Sequence, residues 1–192
     1  TGVLHPAREI QRLVRPGRVL VVDEAFMDAV PGESESLLND DLAGLIVLRS
    51  LTKTWGLAGL RVGYVVGDPS LVRQLQRVQT PWAVSTPALA AIRAVCSDQA
   101  RSETRAWQEE LRENRDALVA GLRQLGLRVV ESKAPFVLVR GPVGLRERLR
   151  GRGFGVRRGD TFPGLGSDWF RMRVPEPGLL ARFLDALGKE ME

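Results

Sequence analysis

The chain has 192 residues, 44% of them apolar and 27% charged, which is typical of one globular domain or of one domain and part of another. No apolar run approaches the roughly 20 residues of a membrane span, and the only cysteine, Cys96, excludes an internal disulfide and a cysteine-rich metal site. The formal charge of +5 comes from arginines interleaved with acidic residues, so solvated helix surfaces explain it better than a nucleic-acid interface. We expect a cytoplasmic protein with neither a metal nor a membrane partner.

The first part of the chain alternates helical segments with short apolar runs. After a helix that starts at His5-Pro6, the run from Val19 to Val22 is typical of a parallel strand covered on both faces, and Asp23 follows it directly. Open α/β sheets bind ligands at the carboxyl ends of their strands, so Asp23 is a candidate ligand-binding residue. A turn-capping role for Asp23 is the alternative. The remaining predicted elements of this part are strands at 45–49 and 61–66 and helices that start at Asp68 and Thr86.

A long polar helix, 97–125, separates this part from one of different texture. Its surface is charged on most faces, which favours a strap that joins two subdomains. For the residues after this helix, the sequence predicts strands at 127–130, 136–139, 153–157 and 169–174 and helices at 143–150 and 177–187. The sequence therefore predicts an α/β portion at 1–97, a connecting helix at 98–126 and a small α+β domain at 127–192.

Lys53 lies at a strand end in the stretch Ser50-Leu51-Thr52-Lys53, and it is unusual in this chain. Of 28 basic residues only three are lysines. An arginine can hold a phosphate, but only a lysine amine can form an imine with an aldehyde. This lysine is the first indication of a pyridoxal-phosphate (PLP) site.

Further side chains around Lys53 complete the chemistry that this cofactor needs. Asp23 could keep a pyridinium nitrogen protonated, and Ser50, Thr52 and Arg61 could hold a phosphate dianion. The order and spacing of three motifs resemble fold-type-I PLP enzymes of the class I/II aminotransferase family. These motifs are D-E-A-F at 23–26, S-L-T-K at 50–53 and G-L-R-V-G at 59–63.

This resemblance covers almost the whole chain, but the chain covers only about the C-terminal half of the family's fold. It implies the C-terminal part of a PLP-transferase large domain, a mixed and mostly parallel sheet with helices, followed by a small α+β domain. Thr1-Gly2 resembles the end of the family's Asn-Pro-Thr-Gly motif. The resemblance places other cofactor contacts upstream of this chain, and it implies a homodimer.

Two segments near the C-terminus resemble substrate-binding parts of the family. Arg171 takes the place of the arginine that binds a substrate α-carboxylate, and Arg173, on the same strand face, is the alternative. The basic stretch that begins at Gly155 resembles the mouth of the site in enzymes for phosphorylated amino-acid-like substrates. There Arg157 or Arg158 would meet a substrate phosphate, and a basic surface loop is an equal alternative.

Phe26 departs from the pattern of many relatives, which have a tyrosine that hydrogen-bonds the cofactor's phenolic oxygen. Phe26 can only contact the cofactor, so the imine should have a raised pKa. The combination of D-E-A-F, R-S-L-T-K and R-R-G-D-T-F-P-G-L resembles most the threonine-phosphate decarboxylases of cobalamin biosynthesis. A histidinol-phosphate-type aminotransferase is the alternative, and an incomplete, non-catalytic half-protein that acts in assembly is a third possibility.

Overall fold

The computed structural model describes residues 1–39 and 41–191, which form two compact units. One unit comprises His5–Gln108, and the other comprises Thr1–Leu4 and Glu109–Glu192. The division falls inside the long helix α4, Asp98–Gln124. The sequence-based boundaries after residues 97 and 126 stay a prediction.

The first unit is built on a three-stranded sheet in the order β1-β2-β3. Strand β1 pairs parallel with β2, and β2 pairs antiparallel with β3. The bounds are α1 Ala7–Gln11, β1 Leu20–Asp23, β2 Leu45–Ser50, β3 Gly63–Gly67, α2 Pro69–Val78 and α3 Thr86–Val95. Short 3-10 turns lie at Met27–Ala29, Pro31–Glu33, Leu37–Asn39 and Ala58–Leu60.

The core of this unit lies on one face of the sheet. Leu37, Leu45 and Val47 are buried there, and Leu20 and Val22 pack against them. The prediction that β1 is covered on both faces is wrong for this chain, because Val21 is 56% exposed. Helix α1 and the segment around Leu37 contribute apolar side chains to the face of Leu20 and Val22, and along β1 partly buried residues alternate with exposed ones.

Helices α2 and α3 start where the sequence predicts, and each has a side-chain cap. The Asp68 carboxylate accepts hydrogen bonds from the amides of Ser70 (2.7 Å) and Leu71 (3.4 Å). The Ser85 hydroxyl accepts from the Ala88 amide at 3.3 Å. These caps satisfy amides that have no partner inside the helix.

The second unit contains a four-stranded sheet in the order β4-β5-β7-β6, antiparallel throughout. Buried side chains from both helices and strands, such as Leu122, Val139 and Phe183, form its core. The bounds are β4 Arg128–Val129, β5 Phe136–Arg140, α5 Leu145–Gly151, β6 Arg157–Arg158, β7 Trp169–Arg173 and α6 Pro177–Gly188.

The strand predicted at 153–157 is wrong for most of its length, since β6 comprises only Arg157 and Arg158. Gly153 has a φ of +86° and its amide donates to the Arg150 carbonyl, and the Phe154 amide donates to the Leu149 carbonyl. These bonds close the C-terminal end of α5, so 153–154 serves the helix rather than a strand. In the described part of the chain, no helix is long and apolar enough to cross a membrane.

Candidate active site

Three of the predicted site segments reach the same edge of the first sheet. Asp23 ends β1 and Ser50 ends β2, and these strands are parallel, with Asp23 level with Leu48. Strand β3 runs back from this edge, because Gly63 is the register partner of Ser50. Arg61, two residues before Gly63, therefore enters the sheet at the edge where Asp23 and Ser50 leave it.

The loop that carries Lys53 is shaped by a pair of hydroxyl groups. The oxygens of Ser50 and Thr52 are 2.8 Å apart, and the Ser50 hydroxyl also accepts from the Thr52 amide at 3.3 Å. Thr52 is buried, whereas Lys53 is exposed. The Lys53 ammonium lies 5.5 Å from the ring centroid of Phe26, within the range of a cation–π contact. The structure thus brings Lys53 and Phe26 together.

Arg61 has a left-handed backbone, with φ 50° and ψ 52°, which is uncommon for a residue with a side chain. Its guanidinium is exposed and donates to the Ala58 carbonyl at 3.3 Å. Two residues later the strands come very close, since a Cβ on Gly63 would lie 2.6 Å from the Arg49 carbonyl oxygen. The motif G-L-R-V-G therefore encodes a tight entry into β3 that presents Arg61.

Asp23 is exposed and caps a turn as well. Its Oδ1 accepts a hydrogen bond from the Ala25 amide at 3.0 Å. The capping role that the sequence left open is thus present, and the exposed carboxylate is still accessible to a ligand.

Arg49 is a residue of this region that the sequence prediction missed. Its side chain is only 3% exposed and contacts carboxylates of Glu33 and Asp28 (both 2.7 Å) and of Glu24 (3.3 Å). Burial lowers the pKa of Arg49, but the hydrogen bonds that it donates to Glu33 and Asp28 outweigh burial and raise the pKa above its ordinary value. The signal was its place directly before Ser50, in R-S-L-T-K.

In the second unit, the predicted substrate arginines form a cluster with two aromatic rings. Arg157 and Arg171 are register partners on β6 and β7. The Arg171 guanidinium lies 4.5 Å from the centroid of Phe136 and 5.7 Å from that of Phe162, and Arg157 lies 5.1 Å from Phe162. Burial, and then the charge of Arg157, lower the pKa of Arg171. The sequence prediction missed both rings.

The two rival arginines are placed differently. Arg158 forms a forked ion pair with Asp160, at 2.5 and 2.8 Å, and Arg173 is exposed at the end of β7. In contrast, no carboxylate among residues 1–39 and 41–191 lies within ion-pair distance of Arg157 or Arg171. Arg157 is therefore better suited than Arg158 to bind an external anion, and Arg171 differs from Arg173 in lying against the rings of Phe136 and Phe162.

The side chains at the edge of the first sheet fit PLP. Hydroxyls at Ser50 and Thr52, with the guanidinium of Arg61, are donors of the kind that bind a phosphate dianion. Lys53 supplies an exposed amine and Asp23 an exposed carboxylate for a protonated ring nitrogen. Within the residues that the structure describes, no group of His, Cys, Asp and Glu side chains is arranged to hold a metal ion.

Two solved structures illustrate the fold that this chain shares. A histidinol-phosphate aminotransferase from Sinorhizobium meliloti, solved in complex with pyridoxal-5'-phosphate, matches with a TM-score of 0.85 and 21% identity over 99% of this chain and 54% of that one. An L-threonine-O-3-phosphate decarboxylase from Porphyromonas gingivalis matches with a TM-score of 0.79 and 24% identity, over 99% and 61%. The predicted fold class, part of a PLP-transferase fold, is confirmed.

The sequence comparisons define the family. The model for class I and II aminotransferases matches residues 1–187, and this chain belongs to that family, as its motifs predicted. A histidinol-phosphate aminotransferase of Mycobacterium tuberculosis is 49% identical over 185 residues, which are 94% of this chain and 51% of the relative. The chain thus spans about half the length of this curated relative. Family membership also supports the predicted cofactor, PLP.

Proposed function

We propose that this chain carries the lysine-bearing half of the active site of a histidinol-phosphate-type aminotransferase that uses PLP. The proposal rests on one observation, that Asp23, Ser50 and Arg61 lie at the same edge of the sheet. Lys53 is exposed in the loop between Ser50 and Arg61. Side chains that bind a phosphate, a ring nitrogen and an aldehyde would then share one place.

Each of these residues has a distinct task in the proposed site. When bound, PLP supplies an aldehyde that reacts with amines and a ring that withdraws electrons from the substrate's α-carbon. Ser50, Thr52 and Arg61 bind the phosphate, and Asp23 holds a proton at the ring nitrogen. Lys53 would hold the cofactor through its aldehyde, and its amine would carry the proton at the substrate's α-carbon. Phe26 contributes a ring face beside the Lys53 amine at 5.5 Å.

The substrate class is inferred from the second unit and from the relatives. Histidinol phosphate would offer a phosphate, and an amino-group acceptor such as 2-oxoglutarate would offer a carboxylate. We assign the carboxylate to Arg171 because of its family position, and its contact with the Phe136 ring at 4.5 Å favours it over the exposed Arg173. Arg157 is favoured over Arg158 for the phosphate, because Asp160 already occupies Arg158.

The decarboxylase hypothesis has weaker support than the aminotransferase one. The M. tuberculosis relative at 49% identity is named a histidinol-phosphate aminotransferase. The decarboxylase match is 24% identical, a level that supports a common fold and nothing finer. Both reactions use nearly the same residues, so assays with both substrates are needed to distinguish them. We also propose, from the family alone, a homodimer in the cytoplasm.

The proposal is tested with the full-length protein and its Lys53→Ala variant. We expect the wild type to transfer the amino group of histidinol phosphate to 2-oxoglutarate, and not to release carbon dioxide from threonine phosphate. The Lys53→Ala variant should lose both the turnover and the visible absorbance of the lysine-bound cofactor. An unchanged spectrum would remove Lys53 from the site.

The non-catalytic alternative requires a separate measurement on the 192-residue chain. If this chain alone acts only in assembly, it should bind no stoichiometric PLP at any protein concentration. Stoichiometric binding that Asp23→Ala and Arg61→Ala weaken would contradict the assembly hypothesis.

A further inference from the structure

The residue that follows Lys53 is bound by a carboxylate from a distant part of the chain. The Thr54 hydroxyl donates to Asp28 Oδ2 at 3.1 Å, and Asp28 Oδ1 accepts from Arg49 Nη2 at 2.7 Å. Arg49 stands directly before Ser50, and Thr54 directly after Lys53. One carboxylate therefore contacts both ends of the segment that carries the lysine.

Asp28 also belongs to the same short turn as the ring that Lys53 contacts. The 3-10 turn Met27–Ala29 starts after Phe26, and the Ala29 amide donates to the Phe26 carbonyl at 3.1 Å. Ala29 is 3% exposed, so the turn is anchored in the interior. The Phe26 ring, which contacts the Lys53 amine, and the Asp28 carboxylate, which contacts Thr54, are therefore carried by the same anchored turn.

The other partners of Asp28 fix its position. Arg49 is itself held by Glu33 at 2.7 Å and by Glu24 at 3.3 Å, with its side chain 3% exposed. The Asp28 carbonyl accepts from Gln108 Nε2 at 2.8 Å. A carboxylate that is held at its side chain and at its backbone can hold a hydroxyl in one place.

We propose that Asp28 and Thr54 are positioning residues that fix the direction of the Lys53 side chain over Phe26. The inference rests on the proposed role of Lys53 in the function above. Free rotation of the Thr52-Lys53-Thr54 backbone would scatter the amine over many directions, and a hydrogen bond directly after the lysine limits this freedom.

Thr54→Val tests the inference in the cofactor-free protein, because it removes the hydroxyl at nearly constant shape. We expect amide hydrogen exchange at 52–55 to become about 2- to 10-fold faster, as the loss of one hydrogen bond implies. We also expect Lys53 to be methylated faster by formaldehyde with cyanoborohydride as the reductant, because its amine is held less firmly against Phe26. Thr54→Ser, which keeps the hydroxyl, should restore both values.

The matched control is Thr104→Val in α4, which removes a hydroxyl that donates to the Ala100 carbonyl at 2.9 Å. It should leave exchange at 52–55 and the labelling of Lys53 unchanged. If Thr54→Val does not fold, Asp28→Asn is compared with Asp98→Asn, which also breaks an Asp–Arg pair. Equal exchange and labelling in the test and control variants would overturn the positioning role.

This result is separable from the proposed function. Exchange and methylation are measured without cofactor, so they report on Thr54 and Asp28 even if the reaction differs from the one proposed. The opposite result is also distinguishable. If Lys53→Ala abolishes the cofactor spectrum but Thr54→Val leaves amide exchange at 52–55 unchanged, only the positioning role of Asp28 and Thr54 is wrong.

Discussion

Arg157 and Arg171 face each other across two antiparallel strands, and both guanidinium groups lie against the ring of Phe162. Like charges on directly opposed residues are destabilising in a sheet. The aromatic faces offset part of this cost, because guanidinium groups stack well on rings. An anion bound between the two arginines would offset the remaining repulsion between them, so this arrangement favours the binding of an anionic ligand.

We expect Arg171→Lys to weaken binding of the carboxylate substrate far more than Arg173→Lys. A lysine keeps the charge but loses the fork and the stacking on Phe136. The KM for 2-oxoglutarate should rise about 10- to 100-fold, as expected for the loss of a charge-assisted hydrogen bond. Steady-state kinetics of the full-length protein measure this. Equal effects in the two variants would exclude Arg171 as the specific ligand.

Arg49→Met should strongly destabilise the first unit. The substitution leaves the carboxylates of Glu24, Asp28 and Glu33 close together without their cation, and loss of one partner from a buried ion pair costs about 3–5 kcal/mol. Urea unfolding gives the free energy change. The matched control is Arg112→Met, which removes an exposed helix ion pair and should leave the unfolding midpoint near that of the wild type. A midpoint unchanged in both variants would contradict a structural role for Arg49.

Gly63→Ala should destabilise the protein, and Gly59→Ala in the same motif should not. A Cβ on Gly63 would lie 2.6 Å from the Arg49 carbonyl oxygen, whereas a Cβ on Gly59 would meet nothing within 4 Å. Because the obstructing atom is backbone, the β2–β3 pairing must shift, at a cost of about 1–3 kcal/mol. Thermal unfolding of the two variants is the measurement. If Gly59→Ala lost more stability than Gly63→Ala, the close approach to the Arg49 carbonyl would not explain why residue 63 is a glycine.

The cap of α2 should make stability depend on pH in the acid range. Hydrogen bonds from the Ser70 hydroxyl, then the Ser70 and Gly44 amides, hold the pKa of Asp68 below its ordinary value of 3.8. A pKa that is lower in the folded state stabilises the protein above the unfolded pKa, and this stability is lost as pH falls through the folded pKa.

In Asp68→Asn the cap cannot titrate, although asparagine can still accept the amide bonds. The melting temperature of this variant should therefore fall less between about pH 5 and about pH 2 than that of the wild type. Asp41→Asn, in a residue that accepts one amide bond from Ala43, is the control and should keep the acid dependence of the wild type. Parallel curves for the wild type and Asp68→Asn would contradict the assignment.

Local signals explain which parts of the fold the sequence could predict. The β2 run from Leu45 and the Asp68-Pro69 start of α2 are encoded by neighbouring residues, and both elements lie where they were predicted. The sequence predicted Asp23 at the carboxyl end of a parallel strand, and the parallel register with β2 confirms this position. The roles of the site residues stay predictions until the variants are measured.

The parts that sequence reasoning missed depend on contacts between distant segments. Arg49 forms ion pairs with Asp28 and Glu33, which lie in two 3-10 turns. Such turns leave no periodic pattern in a sequence. Phe162 lies in the loop between β6 and β7, where nothing in the order of residues indicates that it faces two arginines. Pairing of this kind becomes visible only in three dimensions.

The hairpin that joins β2 to β3 implies an order of assembly for the site. Lys53 and Arg61 are separated by only eight positions and lie in the connection between the antiparallel strands β2 and β3. Asp23 reaches the same edge of the sheet through the parallel pairing of β1 with β2, which closes a loop of more than twenty residues. Local pairings cost less chain entropy and form faster than distant ones. We therefore expect the hairpin that carries Lys53 and Arg61 to fold first and Asp23 to join it later, an order that pulsed hydrogen exchange during refolding would reveal.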